Sequence, residues 1–386
     1  MAQLVKPWND GGSLTATYEG SGDGSAVFSS DTNEGIDREM EVVFVGGGAS
    51  LSRKVRQEGL REEIKSADGL MFKVNDGYFG VLKGIVDNKP PYLAIEALED
   101  GLTFTLTNSD VSYSIDGKSW TFLSAGTKSL SINNGEKIYV KANGLTPNLS
   151  VGIGRFVISK KCRLSGTPMS LIHGDDVDKY TDLTGYDYAF YRLFRECSTI
   201  KEIDADFLPA TTLSTGCYYE MFYSCTGLTS APLRLPSTTL SESCYRSMFD
   251  RCSSLVDSVK ELPALELTDH CYRSMYYSCT RNTTTPEIKA TKLANSSCKF
   301  MFFQNAITKA PTLYAETLTT DCYAMMFQKC NKLNYIKALF LSGAGNPTMN
   351  WVQNVATSGT FVKSKNATWT TIGNNGVPSG WTIEYE

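Results

Sequence analysis

Histidine is nearly absent from this chain: 386 residues contain two. Charge of one sign is lacking too, because 37 basic residues face 41 acidic ones for a net −4. That balance gives no electrostatic footprint for nucleic acid. No apolar run approaches the length needed to span a bilayer, so no membrane insertion is expected. The start, MAQLVKPWNDGGS, has neither the basic opening nor the apolar stretch of a secretion signal. The expectation is a protein not exported by that route, the other reading being that such a segment was removed. No CxxC pair opens a zinc site. Ser-His-Asp order, nucleophile elbow and glycine-rich phosphate fingerprint are all missing. The chain therefore reads as a non-enzyme without cofactor or metal, although paired carboxylates could in principle serve a glycosidase.

Cysteine is abundant, at eleven residues, and it marks a repeat. LSTGCYYEMFYSC (213–225), LSESCYRSMFDRC (240–252), LTDHCYRSMYYSC (267–279), ANSSCKFMFFQNA (294–306) and LTTDCYAMMFQKC (318–330) are copies of one sentence. The leading cysteines Cys217, Cys244, Cys271, Cys298 and Cys322 stand 27, 27, 27 and 24 residues apart. A fixed period of this size means a solenoid, whose units bury their apolar faces on one another. The two cysteines within a copy lie roughly 12 Å apart on a helix, beyond the ~7 Å reach of a disulfide. A reduced, buried thiol ladder is expected.

Each copy predicts a short capped helix. Ser214, Ser241, Thr268, Asn295 and Thr319 sit three residues before the leading cysteine, as N-caps would. Leu213–Tyr218, Leu240–Tyr245, Leu267–Tyr272 and Leu318–Tyr323 have the spacing of a hydrophobic staple, lost in the fourth copy as Ala294 and Lys299. Counted from the cysteine, positions 0, 1, 4, 5 and 8 carry Cys, Tyr, Met, Phe and Cys on one arc. Glu220, Ser224, Asp250, Arg251, Ser274 and Ser278 fall on the other. Extended stretches such as Leu228–Pro232 follow, giving the strand-plus-helix plan of a leucine-rich repeat.

The pattern LPxTTLxxxCYxxMFxxCxxLTxAP resembles the BspA-type leucine-rich repeats of Bacteroides surface proteins and their phages. It runs over Leu208–Pro232 and Leu235–Leu255, with weaker copies to Ile336 and an incomplete leading copy at Ala189–Cys197. Glu34–Met40 through Val55-Arg56-Gln57-Glu58-Gly59 resembles a BACON-like immunoglobulin module. Within residues 1–85, Leu14/Ala16/Tyr18 and Phe72/Val74 alternate, Val42–Val45 is a buried-strand run, and Gly46-Gly47-Gly48 turns. After a linker at Asn88–Pro91, paired apolar positions from Leu102 to Val140 alternate, with Asp116-Gly117 and Asn134-Gly135 as hairpin turns.

The expected architecture is multidomain. An all-β N-terminal part comprises an Ig-like module (1–85, anchoring) and a β-sandwich (91–175). An α/β leucine-rich-repeat solenoid (180–343) and a C-terminal capping unit (344–386) follow. Trp351, Trp369 and Trp381 suit the cap, and carbohydrate stacking is a second use for one of them. The resemblance implies a virion fibre or capsid decoration of a crAss-like phage, or else a bacterial surface adhesin. Its partners would be other virion proteins through the N-terminal module and host-surface or mucus glycan or protein through the repeats. Self-association into a homo-oligomer is compatible with both.

Candidate ligand-contacting residues are Tyr219, Tyr223, Arg246, Arg273 and Tyr277, with Phe300 and Met301. The last two lie on the arc that is polar elsewhere, as a contact surface or because a rotated helix turns Phe300 inward. His173-Gly174-Asp175-Asp176-Val177-Asp178 is the one cluster suited to a hard cation, though it lacks an EF-hand's length and closing Glu. A polar loop capping the start of the solenoid is the plainer reading. His270 is expected at the surface, in the place of Gly216, Ser243, Ser297 and Asp321.

Overall fold

The computed structural model describes residues 91–386 apart from 143, 148 and 149, and, within 1–90, the backbone of seven strands. The chain divides into two compact units, Met1–Lys89 and Pro90–Glu386. In the first, β1 (Ala2–Leu4), β4 (Arg38–Gly46) and β5 (Ala49–Gln57) form an antiparallel sheet. β2 (Leu14–Tyr18) pairs with β3 (Ala26–Ser30), and β6 (Leu70–Val74) with β7 (Gly77–Leu82). Gly47, Gly48, Glu58 and Gly59, on which the turn and BACON-like readings partly rest, lie outside the described residues.

The second unit opens with β8 (Leu93–Ala97), β9 (Phe104–Leu106), β10 (Val111–Ser114), β11 (Thr121–Leu123), β12 (Lys137–Lys141), β13 (Phe156–Ile158) and β14 (Cys162–Ser165). Asp116 closes the β10–β11 hairpin by accepting the Lys118 and Ser119 amides, each at 2.7 Å. Asn134-Gly135 turns the chain but makes no hairpin. Ile132 before it pairs with Leu102, whereas β12 after it pairs with β8 and β10. A six-stranded sheet runs β11-β10-β12-β8-β14-β15, where β15 (Ile200–Ile203) already belongs to the repeats and lies parallel to β14. Sheet and repeats thus share one hydrophobic core, with Phe156 stacked 5.2 Å from Phe194.

The five repeat copies form successive coils of a β-solenoid, with a further coil at each end, rather than the expected α/β leucine-rich repeat: the expected helices are absent from it. The single α-helix among the described residues is Ser170–His173, followed by a 3-10 turn over Gly174–Lys179. Each CYxxMFxxC segment is instead a run of overlapping β-turns. Cys217, Tyr219, Met221, Tyr223 and Cys225 each donate their amide to the carbonyl three residues back. The amides between them leave the coil: Gly216, Tyr218, Glu220, Phe222 and Ser224 donate to Glu242, Cys244, Arg246, Met248 and Asp250 of the next one. Every backbone donor is satisfied, half locally and half between coils.

Alternate turns need a left-handed residue at their third position. It recurs every four residues: Gly216, Glu220 and Ser224 have φ of 58, 52 and 57°, and Ser243, Ser247 and Arg251 repeat them at 57, 51 and 60°. Such a residue costs roughly 1–2 kcal/mol when it is not glycine. Each coil offsets two or three of these with five buried apolar side chains, each contributing about 1.5–3 kcal/mol if large. Two rings per coil stack directly on their neighbours. One row runs Phe190–Tyr218–Tyr245–Tyr272 at 5.6, 5.6 and 6.0 Å. The other runs Phe194–Phe222–Phe249–Tyr276–Phe302–Phe327 at 5.4 to 5.9 Å.

The stacking resets the fourth copy by one residue. Phe302 lies on Tyr276, and Tyr272 donates to the Ser297 carbonyl, so Ser297 holds the leading place and Cys298 the tyrosine's. In register, the leading residues are Ala189, Cys217, Cys244, Cys271, Ser297, Cys322 and Pro347, with steps of 28, 27, 27, 26, 25 and 25. The supposed cap there is Ala294, not Asn295, and the leucine is not lost but is Leu293. The hydroxyls cap no helix. Those of Ser241, Thr268 and Thr319 donate to carbonyls of the preceding coil, Leu213, Ser241 and Ala294, at 2.8–2.9 Å.

Short parallel rungs close the other side of each coil. They include Asp182–Thr212–Thr239, Ser230–Asp257, and β16 (Glu261–Leu262) beside β17 (Glu287–Ile288). At the end, β18 (Tyr335–Ala338), β19 (Thr360–Lys363) and β20 (Thr382–Tyr385) make a parallel sheet. Trp351, Trp369 and Trp381 are buried there. Each indole donates to a carbonyl, of Gly376, Phe340 and Ala356 respectively, at 2.8–2.9 Å.

Candidate functional site

Because two residues face inward and two outward in every four, positions 2 and 6 of each coil form two outward rows. The first row runs Tyr191, Tyr219, Arg246, Arg273, Lys299. The second runs Arg195, Tyr223, Asp250, Tyr277, Phe303, Gln328. All five outward candidates, Tyr219, Tyr223, Arg246, Arg273 and Tyr277, lie on these rows and are half-buried. The solenoid brings them together across coils: residues 27 apart in sequence become neighbours.

Rings and cations interleave on this face. Tyr191 and Tyr219 lie 5.2 Å apart, with Arg192 4.5 Å from the first ring and Arg246 5.1 Å from the second. Arg195 and Arg251 flank the Tyr223 ring at 4.4 and 5.5 Å. Tyr277 and Phe303 stack at 4.5 Å, and Phe300 meets both edge-on at 5.9 Å. Cation–π contacts of this kind are favourable electrostatically, since the ring face attracts the guanidinium charge.

The Phe300–Met301 pair divides. Met301 is fully buried in the methionine's place, so it is not a surface contact. Phe300 is not turned into the core either. It occupies a left-handed position, φ 59°, and is half-buried beside Tyr277. The lost staple that argued for a rotated helix was an effect of the shifted alignment.

Acids sit among these groups. Glu220 accepts from Arg192 at 2.7 Å and from Arg195. Asp250 is 8 % exposed, and among the described residues its Oδ1 has no hydrogen-bond partner. Burial pushes its carboxyl up to about 7, with Glu220 adding to the effect against Arg251, whose Nε is 3.9 Å away. Sequence alone gave no sign of a buried acid at this place.

The Asp-rich loop is engaged by protein groups. Asp175 Oδ1 accepts from Lys141 Nζ at 2.5 Å and from the Tyr92 hydroxyl at 2.6 Å, and Asp176 pairs with Lys179 at 2.6 Å. These bonds hold the Asp175 carboxyl below its usual range. Among the described residues no cluster of His, Cys, Asp and Glu could hold a metal ion. His173 stacks on Tyr180 at 4.0 Å. His270 is half-buried rather than at a helix start, at φ 59° in the row of Gly216, Ser243, Ser296 and Asp321. Among the described residues no helix is long and apolar enough to cross a membrane. No family profile, characterised protein or solved structure matches the chain.

Proposed function

We propose that this is a non-enzymatic attachment protein, whose turn face docks a host-surface or mucus glycan or protein. The observation that carries the reading is the pair of outward rows in which tyrosine, phenylalanine and arginine side chains interleave at the coil repeat. Aromatic and arginine side chains are the groups that dominate recognition surfaces. A rigid, repetitive scaffold also presents them without an ordering cost at binding. The unit Met1–Lys89 would join the chain to a larger particle, a phage fibre or capsid decoration being the setting the repeat resemblance suggests.

The test is retention of the purified full chain on a mucin-coated surface, for the wild type and for Tyr223→Ala/Tyr277→Ala. The expected result is saturable retention that the double variant loses while its melting temperature stays within a few degrees. A wild type that passes unretained overturns the reading. Mass spectrometry of purified virions against host membranes checks the setting. Finding the chain in membranes alone replaces the virion reading with a surface adhesin.

A further inference from the structure

Arg246 and Arg273 stand in the same outward row on successive coils, tied by the Ser247 amide donating to the Arg273 carbonyl at 2.9 Å. Their stems therefore leave the backbone about 5 Å apart, the spacing of hydrogen-bonded strands. Among the described residues neither guanidinium has an ion pair or a side-chain hydrogen bond, and Arg246 merely covers the Tyr219 ring. The acids in reach are largely engaged elsewhere. Asp321 holds Lys299 at 2.8 Å, and Asp269 accepts the Asn295 amide at 2.8 Å. Exposed Glu242 remains, without an ion pair to either arginine.

The arrangement costs energy as it stands. Burial and the neighbouring Arg246 charge hold Arg273 below its ordinary range. His270, beside them, is lowered by burial and by both arginines, and its Nδ1 is buried without a partner among the described residues. Two half-buried like charges with unused donors are what an anion would relieve, and each guanidinium fork matches a planar or tetrahedral oxyanion. Tyr219 flanks the pair on one side and Phe300 on the other, beyond Lys299.

We infer that Arg246 and Arg273 form the anion-recognising subsite of this face, taking the carboxylate or sulfate of an acidic polysaccharide. The inference rests on the attachment reading and narrows its ligand. A polysaccharide fits because the flanking aromatic groups suit apolar sugar faces and because a repeating ligand suits a repeating surface. The net charge of −4 opposes polyanions at large, so capture depends on this local pair.

The test is calorimetric titration of the full chain with hyaluronan (carboxylate), dextran sulfate (sulfate) and neutral dextran. Binding to at least one acidic polymer and not to dextran is expected, and which polymer binds tells the two anions apart. Arg246→Gln/Arg273→Gln should weaken it at least tenfold, Arg246→Lys/Arg273→Lys should fall between, and a charge-matched change at two exposed residues off these rows, Arg281→Gln/Lys332→Gln, should bind as the wild type does. A wild type that binds neither acidic polymer, or a control pair that loses as much, overturns the inference. Mucin retention that survives in the glutamine variant overturns the inference and leaves the attachment reading standing. Loss of hyaluronan or dextran sulfate binding without any mucin retention does the reverse.

Discussion

Asn305 Nδ2 donates to the Tyr276 carbonyl at 2.6 Å, the place where, one coil earlier, Cys279 Sγ donates to the Phe249 carbonyl at 3.0 Å. The same bond is made by Cys197, Cys225, Cys252 and Cys330 to Phe156, Phe194, Phe222 and Phe302. The second cysteine of the repeat is therefore a small buried donor to the coil before it. Asparagine can replace it because it keeps the donor. Asn305→Cys should change the urea midpoint little, whereas Asn305→Ala should cost about 1–3 kcal/mol through the lost bond and the cavity. Equal loss in both variants would remove the donor from the account.

Turn and helix differ in sign at Ser274, which has φ 56° and faces outward. In a left-handed position Ser274→Gly should stabilise by about 1 kcal/mol and Ser274→Ala should change little, because alanine keeps the Cβ that serine already carries there. In a helix the order inverts, since alanine is the best former and glycine about 1 kcal/mol worse. Chemical denaturation of the two variants reads the sign directly. Alanine above glycine would restore the helix.

The helix expectation arose because nine residues cannot separate a period of 3.6 from one of 4. Positions 0, 1, 4, 5 and 8 point inward in both. The residue type at the outward corners gives only a partial sign: Gly216 and Asn354 suit a left-handed backbone, but Glu220, Arg251, Phe300 and Met325 adopt it as well. Repeat and solenoid were readable from spacing, and the outward candidates from the same pattern. Cysteine as the anchor misaligns the fourth copy by one residue. The Met301–Phe302 pair, fully buried in the methionine and phenylalanine places, marks the register better. Pairings between coils, such as Arg246 on Tyr219, depend on which coil follows which and are invisible along a single strand of sequence.

All eleven cysteines are buried and unpaired with one another. Burial raises their thiols, to about 11 at Cys197 and Cys322 and about 12 at Cys271 and Cys330. Thiolate is the reactive form, so the native protein at pH 8 should consume almost no thiol reagent. In denaturant without reductant it should consume close to eleven equivalents. A denatured count of one or two would replace the thiol row with disulfides.

Asp250 gives the turn face a pH dependence of definite sign. Its carboxyl rises from 3.8 in the open chain to about 7 when buried among Tyr223, Tyr277, Arg251 and Glu220. Between those values the folded chain keeps a proton that the unfolded chain has released, so stability falls as pH rises through the window. Its contribution is complete below about 4 and lost above about 7. Asp250→Asn keeps the shape, removes the titration and leaves every other acid in place. The difference in urea midpoint between wild type and variant should therefore widen from pH 4.5 to pH 7.5, with the variant gaining. A constant difference across that range would mean that Asp250 is charged throughout, held by Arg251 rather than left to its burial.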